Sequence, residues 1–361
     1  MTHAPAPQHP TDEADLRRRV DGALRAFLTD RRIQLVAIDP DLAPMSDAID
    51  ALVLGSGKRL RPAFAYWGYR AAGGADSDAV VAAVAALELV QASALIHDDL
   101  IDRSDTRRGE PAAHRRFTEL HDKADWHGDA ADFGAAAAIL LGDACLVWSD
   151  ELLHASGLDP VTLARSRGVF DAMRTEVTAG QYLDVLTQAT GDTSLRRAST
   201  VARFKSAKYT VERPLLLGAA IADAPVATRV AYSGFGLPLG EAFQLRDDIL
   251  GVFGDPVVTG KPAGDDLREG KRTYLIAAAL EKAGDAQRQA LLDRLGDRNL
   301  DSAGVALLRE IITETGALAR TEERIAELTG ASLDALHGTA LEPEGERVLL
   351  RLAEASTRRD T

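Results

Sequence analysis

The sequence lacks features that are typical of secreted, membrane-spanning and nucleic-acid-binding proteins. Its single cysteine, Cys145, cannot form an internal disulfide, which fits a reducing cytoplasm. Charged residues interrupt the apolar stretches within about 18 positions, which argues against a membrane span. Basic residues are outnumbered, and the net charge of −13 disfavours nonspecific binding to nucleic acid. We therefore expect a cytoplasmic protein without a membrane span or a nucleic-acid partner.

The chain also lacks an internal boundary between domains. Its first dozen residues are polar and Pro-rich, which predicts a mobile tail over residues 1–15. A basic start followed by an apolar run is missing there, so a signal peptide is not expected. No change in composition and no long Gly, Pro or Ser linker divides the remainder, and we predict one large domain at residues 16–361.

Alternating patterns typical of β-strands are absent, and helical patterns dominate instead. Residues 79–96 carry apolar side chains at three- and four-residue spacing and contain no Pro or Gly. Similar patterns recur at residues 133–153, 161–186, 198–222, 228–252, 273–295 and 303–336. Clusters of turn residues separate most of these runs. The sequence therefore predicts an all-α fold, a helical bundle.

The first of two acidic motifs ends the apolar run at residues 79–96. It reads His97-Asp98-Asp99-Leu100-Ile101-Asp102. On a helix, Asp98 and Asp102 are one turn apart and point the same way, with Asp99 to the side. Their carboxylates repel each other unless a cation lies between them, and Mg²⁺ prefers such oxygen ligands. By itself this motif could equally be a solvated acidic helix end.

A second acidic motif makes a metal site the better interpretation. Gln244, Asp247 and Asp248 lie on an otherwise apolar helical run. Acidic residues in such a run are unfavourable unless they are paired or bound to metal. Two such motifs, distant in sequence, could face each other across a bundle and hold several metal ions around one diphosphate.

Basic residues accompany both acidic motifs. Arginine binds phosphate oxygens in a bidentate manner, so these residues predict binding of diphosphate beside the metal ions. Each group alone could be an ordinary basic turn. The groups are Lys58-Arg59-Leu60-Arg61, Arg107-Arg108, Lys205-Ser206, and Lys261 with Lys271.

These motifs, taken in order, resemble the trans-isoprenyl diphosphate synthase (polyprenyl synthetase) family, with a likeness to its geranylgeranyl diphosphate synthases. The resemblance extends over residues 54–273. It includes the basic motif at residues 57–62, both acidic motifs, and two middle signatures at residues 180–184 and 205–207. It implies a helical bundle around a central cavity, of the isoprenoid synthase type, and a homodimer.

The resemblance also implies a role for each matching residue. Metal ligands would be Asp98, Asp102 and Asp247, supported by Asp99 and Asp248, with three Mg²⁺ ions in each active site. The allylic diphosphate would be held by Arg107, Lys205, Gln244, Lys261 and Lys271. Isopentenyl diphosphate would be held by Lys58, Arg61, Gln91 and Arg108. The catalytic side chains at the allylic cation would be Lys205, Ser206 and Gln244.

These roles describe a Mg²⁺-dependent head-to-tail condensation of isopentenyl diphosphate with an allylic diphosphate. Cations stabilise the negative charge that develops on the leaving diphosphate, and an apolar tunnel shields the allylic cation from water. The motifs offer no dedicated general base, so the released diphosphate is the expected proton acceptor. In one departure, Gly251 stands where the commonest family pattern has a third Asp, which predicts weaker support for one metal ion.

Product length depends on residues that precede the first acidic motif. Ser93 and Ala94 are small, whereas family members that make the fifteen-carbon product often have an aromatic residue there. A tunnel without that obstruction would admit a longer chain, which predicts geranylgeranyl diphosphate or longer. Leu87, Val90 or a neighbouring helix could still stop the chain.

Three other functions would each explain part of the sequence. A class I terpene cyclase also has an Asp-rich helix, but its second metal motif is missing and it needs no second set of diphosphate-binding cations. A non-catalytic subunit of a heteromeric synthase is favoured only by Gly251. A purely structural helical protein would have to combine all of these motifs by accident.

Overall fold

Helices form almost every element of the chain. A computed structural model describes residues 13–55, 57–255 and 264–357. The predicted tail lies outside the described residues except for its last three positions, which belong to the first helix. The boundary at residue 16 stays a prediction, whereas the all-α fold is confirmed.

The elements follow one another from α1 to α16 with one short hairpin. Their bounds are α1 Glu13–Ile38, a 3₁₀ turn Pro40–Leu42, α2 Ala43–Leu54, α3 Leu60–Ala71, α4 Asp78–Asp102, β1 Thr106–Arg107, β2 Glu110–Pro111, α5 Ala113–Lys123, α6 Ala130–His154, α7 Pro160–Thr190, α8 Leu195–Val201, a π-helix Ala202–Glu212, α9 Arg213–Ile221, α10 Val226–Phe253, α11 Asp265–Glu269, α12 Tyr274–Lys282, α13 Asp285–Arg294, α14 Ser302–Glu314, α15 Ala317–Leu336 and α16 Pro343–Thr357.

Helix α4 shows how local sequence sets the position of the first acidic motif. Ser77 caps its N-terminus, where the hydroxyl accepts a hydrogen bond from the backbone N–H of Val80. The next turns are apolar and buried, so the helix passes through the core. Arg103 ends it with a left-handed φ of 54°. The last turn of a core helix therefore delivers Asp98, Asp99 and Asp102 to the end of the bundle.

Two of the helical patterns contain a break that the sequence did not predict. The run at residues 273–295 forms α12 and α13, separated at Ala283 and Gly284. The run at residues 303–336 forms α14 and α15, separated by Thr315 and Gly316, whose φ is 74°. Gly adopts such a left-handed conformation readily, so apolar periodicity continues across a break that only the backbone reveals.

The run at residues 198–222 contains a π-helix that the sequence did not predict. This segment carries Lys205 and Ser206. Two glycines of neighbouring helices contact its backbone: a Cβ on Gly180 would overlap Lys205 N, and one on Gly240 would lie 2.6 Å from the Cα of Ala207. Because α7 and α10 press on the π-helix from two sides, these glycines fix where Lys205 and Ser206 enter the cavity. Local π-helix is often found at functional sites.

Among the described residues, two helices are long and apolar enough to span a membrane by length and composition, although Glu88 and Asp143 interrupt their apolar stretches. In α4, 72% of the most apolar window is buried within the protein, as in a core helix. In α6 the corresponding share is 33%. Much of the apolar surface of α6 is therefore exposed in the single chain, and a cytoplasmic location stays a prediction.

Candidate active site

Both acidic motifs line one large cavity of about 1120 Å³. Asp98 of α4 lies on one wall, and Asp247 and Asp248 of α10 lie on another. The predicted cations Lys58, Arg61, Arg107, Arg108, Lys205 and Lys271 line the same cavity, together with Gln91, Ser206 and Gln244. Lys261 lies outside the described residues. The structure thus brings together, in one place, residues that are far apart in the chain.

The wall formed by α4 carries two carboxylates whose pKa values are shifted in opposite directions. Asp98 accepts hydrogen bonds from Lys205 Nζ and Gln181 Nε2, both at 2.9 Å. Burial opposes its ionisation, but Lys205, Lys271 and Arg107 outweigh burial and lower the pKa of Asp98 to about 2. Asp102 is buried, and burial together with the charge of Asp98 raises its pKa to about 7. Additional positive charge near Asp102 would therefore be favourable.

The wall formed by α10 also carries a buried carboxylate with a raised pKa. Asp248 is 4% exposed, and the amide nitrogen of Gln244 donates a hydrogen bond to its Oδ1 at 2.7 Å. Burial raises the pKa of Asp248 to about 8, against that hydrogen bond, and the charges of Asp266 and Asp247 contribute to the rise. A buried carboxylate with a raised pKa, such as Asp248, needs either a proton or a nearby cation.

Two lysines provide part of that positive charge. Lys205 Nζ lies 2.9 Å from Asp98 and 2.7 Å from Asp184. Lys271 Nζ lies 3.9 Å from Asp102, 3.3 Å from Asp266 and 2.7 Å from Glu269. Lys271 thus joins the end of α4 to α11, and Lys205 joins α4 to α7.

The donor set fits Mg²⁺. Every candidate ligand is a carboxylate oxygen, as Mg²⁺ prefers, and two of the groups are buried with raised pKa values. In the part of the chain that the structure describes, no three His, Cys, Asp or Glu side chains are grouped so that they could hold a metal ion by themselves. Open oxygen ligands on opposite walls are suited to ions that also bind the oxygens of a substrate phosphate.

Arg107 and Asp99 form a pair beside the first wall. Both Nε and one terminal nitrogen of Arg107 donate to the Asp99 carboxylate, with Nε 2.9 Å from Oδ1. Asp99 is 3% exposed, and Arg107 also lies 3.9 Å from Asp98. The geometry orients Arg107 toward the cavity, and it favours a supporting role for Asp99 over direct metal ligation.

A second basic cluster lines the same cavity. Arg61 donates to the Thr210 hydroxyl at 2.9 Å and stacks over the ring of Tyr209, 4.2 Å from its centroid. The Tyr209 hydroxyl donates to Gln91 Oε1 at 2.9 Å. Burial and the charges of the neighbouring arginines lower the pKa of Arg108 despite nearby Glu88, which indicates excess positive charge. Such a cluster favours an anionic ligand.

Arg59 belongs to the same sequence motif as Arg61 and also lines the cavity, but its side chain is buried and its hydrogen bonds go to other parts of the protein. Its Nε donates to Asp21 and one terminal nitrogen donates to Glu88, each at 2.7 Å. The other terminal nitrogen donates to the Val53 carbonyl at 2.6 Å. The left-handed φ of 52° at Arg59 turns this side chain inward, so it holds α1, α2 and α4 together.

The apolar part of the cavity extends along α4 toward α6 and α7. Ser93 and Ala94 line it, as predicted from their position before the first acidic motif. Val90, Leu146 and Val177 extend the lining. Leu87, one of the predicted stops, is fully buried in the core and does not reach the cavity. The small residues therefore face the space that a growing apolar chain would need.

Several residues of the site were missed or received no role from sequence. Asp184 and Gln181 belong to the signature at residues 180–184, but their contacts with Lys205 and Asp98 appear only in three dimensions. Tyr209 lies within a helical run and carries no local signal of a role in the site. The place of Asp266 beside Asp248 depends on how the chain folds back after α10.

Comparison with known proteins agrees with this geometry. Residues 43–312 match the profile of the family described as polyprenyl synthetase. The chain is 32% identical over 293 residues to a geranylfarnesyl diphosphate synthase of Aeropyrum pernix, covering 81% of this chain and 86% of that protein. It is 34% identical over 262 residues to a (2E,6E)-farnesyl diphosphate synthase of Mycobacterium bovis, covering 71% and 67%.

A solved structure is also closely similar. It is a geranylgeranyl pyrophosphate synthase from Corynebacterium glutamicum, complexed with isoprenyl diphosphate and magnesium. The TM-score is 0.94 at 41% identity, covering 97% of this chain and 100% of that one.

Proposed function

The chain belongs to the polyprenyl synthetase family and is a prenyl diphosphate synthase; from this premise we propose that it makes geranylgeranyl diphosphate in a Mg²⁺-dependent reaction. It would join isopentenyl diphosphate head-to-tail to an allylic diphosphate and release diphosphate. The observation that carries this proposal is the single cavity with two acidic walls and a separate basic cluster. A terpene cyclase, which takes one diphosphate, would leave that second cluster without a ligand.

One group of cavity residues would bind the metal ions and the allylic diphosphate. Asp98, Asp102 and Asp247, supported by Asp99 and Asp248, would hold three Mg²⁺ ions. These ions would supply positive charge to the oxygens of the leaving diphosphate. Lys205, Arg107 and Lys271, joined by Lys261, would bind the same diphosphate and stabilise the charge that develops as its C–O bond breaks.

The basic cluster would bind and orient the second substrate. Lys58, Arg61, Arg108 and Gln91 would hold the diphosphate of isopentenyl diphosphate, so that its double bond faces the allylic carbon. Ser206 and the oxygen of Gln244 would lie beside the allylic cation. The proton that the product loses would pass to the released diphosphate, since no general base is built into the motifs.

A direct assay tests the reaction. The purified protein is incubated with Mg²⁺, labelled isopentenyl diphosphate and a starter of five, ten or fifteen carbons, and the dephosphorylated products are separated by chromatography. We expect a twenty-carbon product. A fifteen-carbon endpoint would overturn the assignment of product length, and no product from any starter would favour the non-catalytic subunit.

Product length should respond to the size of the residue at position 94. Ala94→Phe is expected to shorten the product toward fifteen carbons, because an aromatic ring there would fill the apolar part of the cavity beside Ser93. The distribution of product lengths measures this effect. Ala51→Phe, at an exposed position of α2, is the matched control and should leave the distribution unchanged. An unaltered twenty-carbon product from Ala94→Phe would place the stop elsewhere.

We also propose that the protein is a homodimer whose interface includes α6. Phe133, Leu140 and Val147 are spaced by seven residues on this helix, with exposed fractions of 37%, 62% and 66%. Residues at that spacing lie on one face, and a stripe of this kind is typical of helix–helix contacts. A second copy would cover the stripe.

The oligomeric state tests this interface. Leu140→Glu is expected to shift the protein from dimer to monomer in sedimentation experiments, because it places a charge at the centre of the stripe. Val230→Glu, a similarly exposed position of α10 at 66%, should leave the dimer intact. A dimer that survives Leu140→Glu at micromolar concentration would exclude this face.

A further inference from the structure

The apolar part of the cavity has a cation at its inner end. Val90 of α4, Leu146 of α6 and Arg174 of α7 line this end. About one turn further from the acidic motif, Leu87 on α4 and Phe170 on α7 are fully buried and do not reach the cavity. A charged side chain beside a space for hydrocarbon is unfavourable unless it is paired, so the position of Arg174 needs a physical explanation.

The packing of α6 against α4 shows how deep this end lies. A Cβ on Gly142 would overlap the ring of His97. A Cβ on Gly157, just after α6, would lie 3.6 Å from the Cβ of Ala79 at the start of α4, so the two helices are antiparallel. Asp150 comes eight residues after Gly142, which is about two helical turns. Asp150 therefore lies about two turns deeper than the first acidic motif.

Arg174 lies at the same depth as Asp150, because its Nη2 donates to Asp150 Oδ1 at 3.1 Å. Helix α7 gives the same result independently. Gln181 donates to Asp98 at 2.9 Å, and Arg174 precedes Gln181 by seven residues, or about 11 Å along the helix. Ala94 is only one turn from Asp98. Arg174 is thus about one turn deeper than Ala94, a distance comparable with one isoprene unit.

Three contacts hold the Arg174 guanidinium in place. It donates hydrogen bonds to Asp150 on α6 and to Asp171 on its own helix. It also lies over the ring of Phe170, with Cζ 4.8 Å from the ring centroid. The side chain of Arg174 is 22% exposed. A hydrocarbon chain that grew past this point would have to break these contacts and remove water from a charged group, and both changes are unfavourable.

We propose that Arg174, held by Asp150 and Asp171, is the residue that ends chain growth in this enzyme. Its paired charge excludes a further isoprene unit from the inner end of the cavity. The inference rests on the proposed function, because it assigns the residue that sets the product length of that reaction. It places the stop on α7 and not on α4, where Leu87 is buried away from the cavity.

A purely structural role would also explain the contacts of Arg174, because they join α6 to α7. The two roles differ in what a substitution changes. Loss of a structural contact lowers the thermal midpoint of unfolding and leaves the product unaltered. Loss of a stop changes the number of carbons in the product.

The experiment measures product length with the full-length protein, Mg²⁺, labelled isopentenyl diphosphate and the fifteen-carbon starter. Arg174→Ala is expected to shift the main product from twenty carbons to twenty-five or more, because it removes the paired charge and opens the end of the cavity. Arg174→Met keeps most of the side-chain volume without the charge. It is expected to shift the product in the same direction to a smaller extent, because a flexible apolar side chain can move aside.

Arg167→Ala is the matched control for a lost arginine on α7. Arg167 also pairs with Asp171, at 3.6 Å, but its side chain is 53% exposed and does not line the cavity. This variant should make the same product as the parent protein. The double variant Ala94→Phe/Arg174→Ala should make the short product of Ala94→Phe alone, because a chain that stops one turn earlier never reaches position 174.

The outcomes separate this inference from the proposed function. A folded Arg174→Ala that makes the parent product would overturn the inference and leave the function intact, whether or not the thermal midpoint falls. If Arg174→Ala does not fold, Arg174→Met decides in the same way. A product lengthened equally by Arg167→Ala would show a general loosening of α7 and would also overturn the inference. A parent protein that makes no product from any starter would instead contradict the proposed function.

Discussion

Replacing Asp98 with alanine is expected to reduce kcat by about a thousandfold while the protein stays folded. Asp98 is the carboxylate of the first acidic motif that directly lines the cavity. Its loss removes a proposed metal ligand and the acceptor for Lys205 and Gln181. Lys205 keeps Asp184 at 2.7 Å, so no unpaired buried lysine results and the fold should survive. Steady-state kinetics and circular dichroism measure the two effects.

The same loss is expected for Asp247→Ala on the opposite wall. Asp334→Ala provides the matched control, because its side chain is 81% exposed and distant in sequence from both motifs. A near-normal rate from either cavity variant would contradict the metal assignment. A rate lost together with the circular dichroism signal would show a failure of folding and would call for Asp98→Asn, which keeps the shape of the side chain.

Arg59 and Arg108 should respond in opposite ways to replacement by methionine. Arg59→Met is expected to lower the free energy of unfolding by about 3–5 kcal/mol, because it leaves Glu88 buried without its cation. Arg108→Met should not destabilise the protein, since burial and nearby arginines lower the pKa of Arg108 and its charge is unfavourable in the fold. Urea denaturation measures both free energies.

The effects of the two variants on KM should have the opposite order to their effects on stability. Arg108→Met is expected to raise the KM for isopentenyl diphosphate strongly with little change for the allylic substrate, because Arg108 lies in the cluster assigned to the former. Arg59→Met should change KM little in whatever fraction stays folded. Equal effects of both variants on stability would contradict the assignment of a structural role to Arg59 and a substrate-binding role to Arg108.

Spacing along a helix made the acidic motifs predictable. Asp98 and Asp102 are one turn apart in any regular α-helix, so their common face follows from local geometry alone. The apolar run that precedes them indicated a core helix, and α4 is one. Helix ends were less predictable: Gly284 and Gly316 interrupt apolar patterns that continue on both sides, because the period of side chains does not report a change in the backbone.

The sequence by itself determined the all-α class, the two acidic faces and the basic residues near them, because these depend on interactions within a few turns of one helix. Only the tertiary structure decided which groups meet. It turned Arg59 inward to Glu88, placed Lys271 between α4 and α11, and brought Asp266 against Gly251. Such contacts join residues separated by loops and by the packing of several helices. The sequence gives the charge of each residue, but only the folded structure determines which residue that charge contacts.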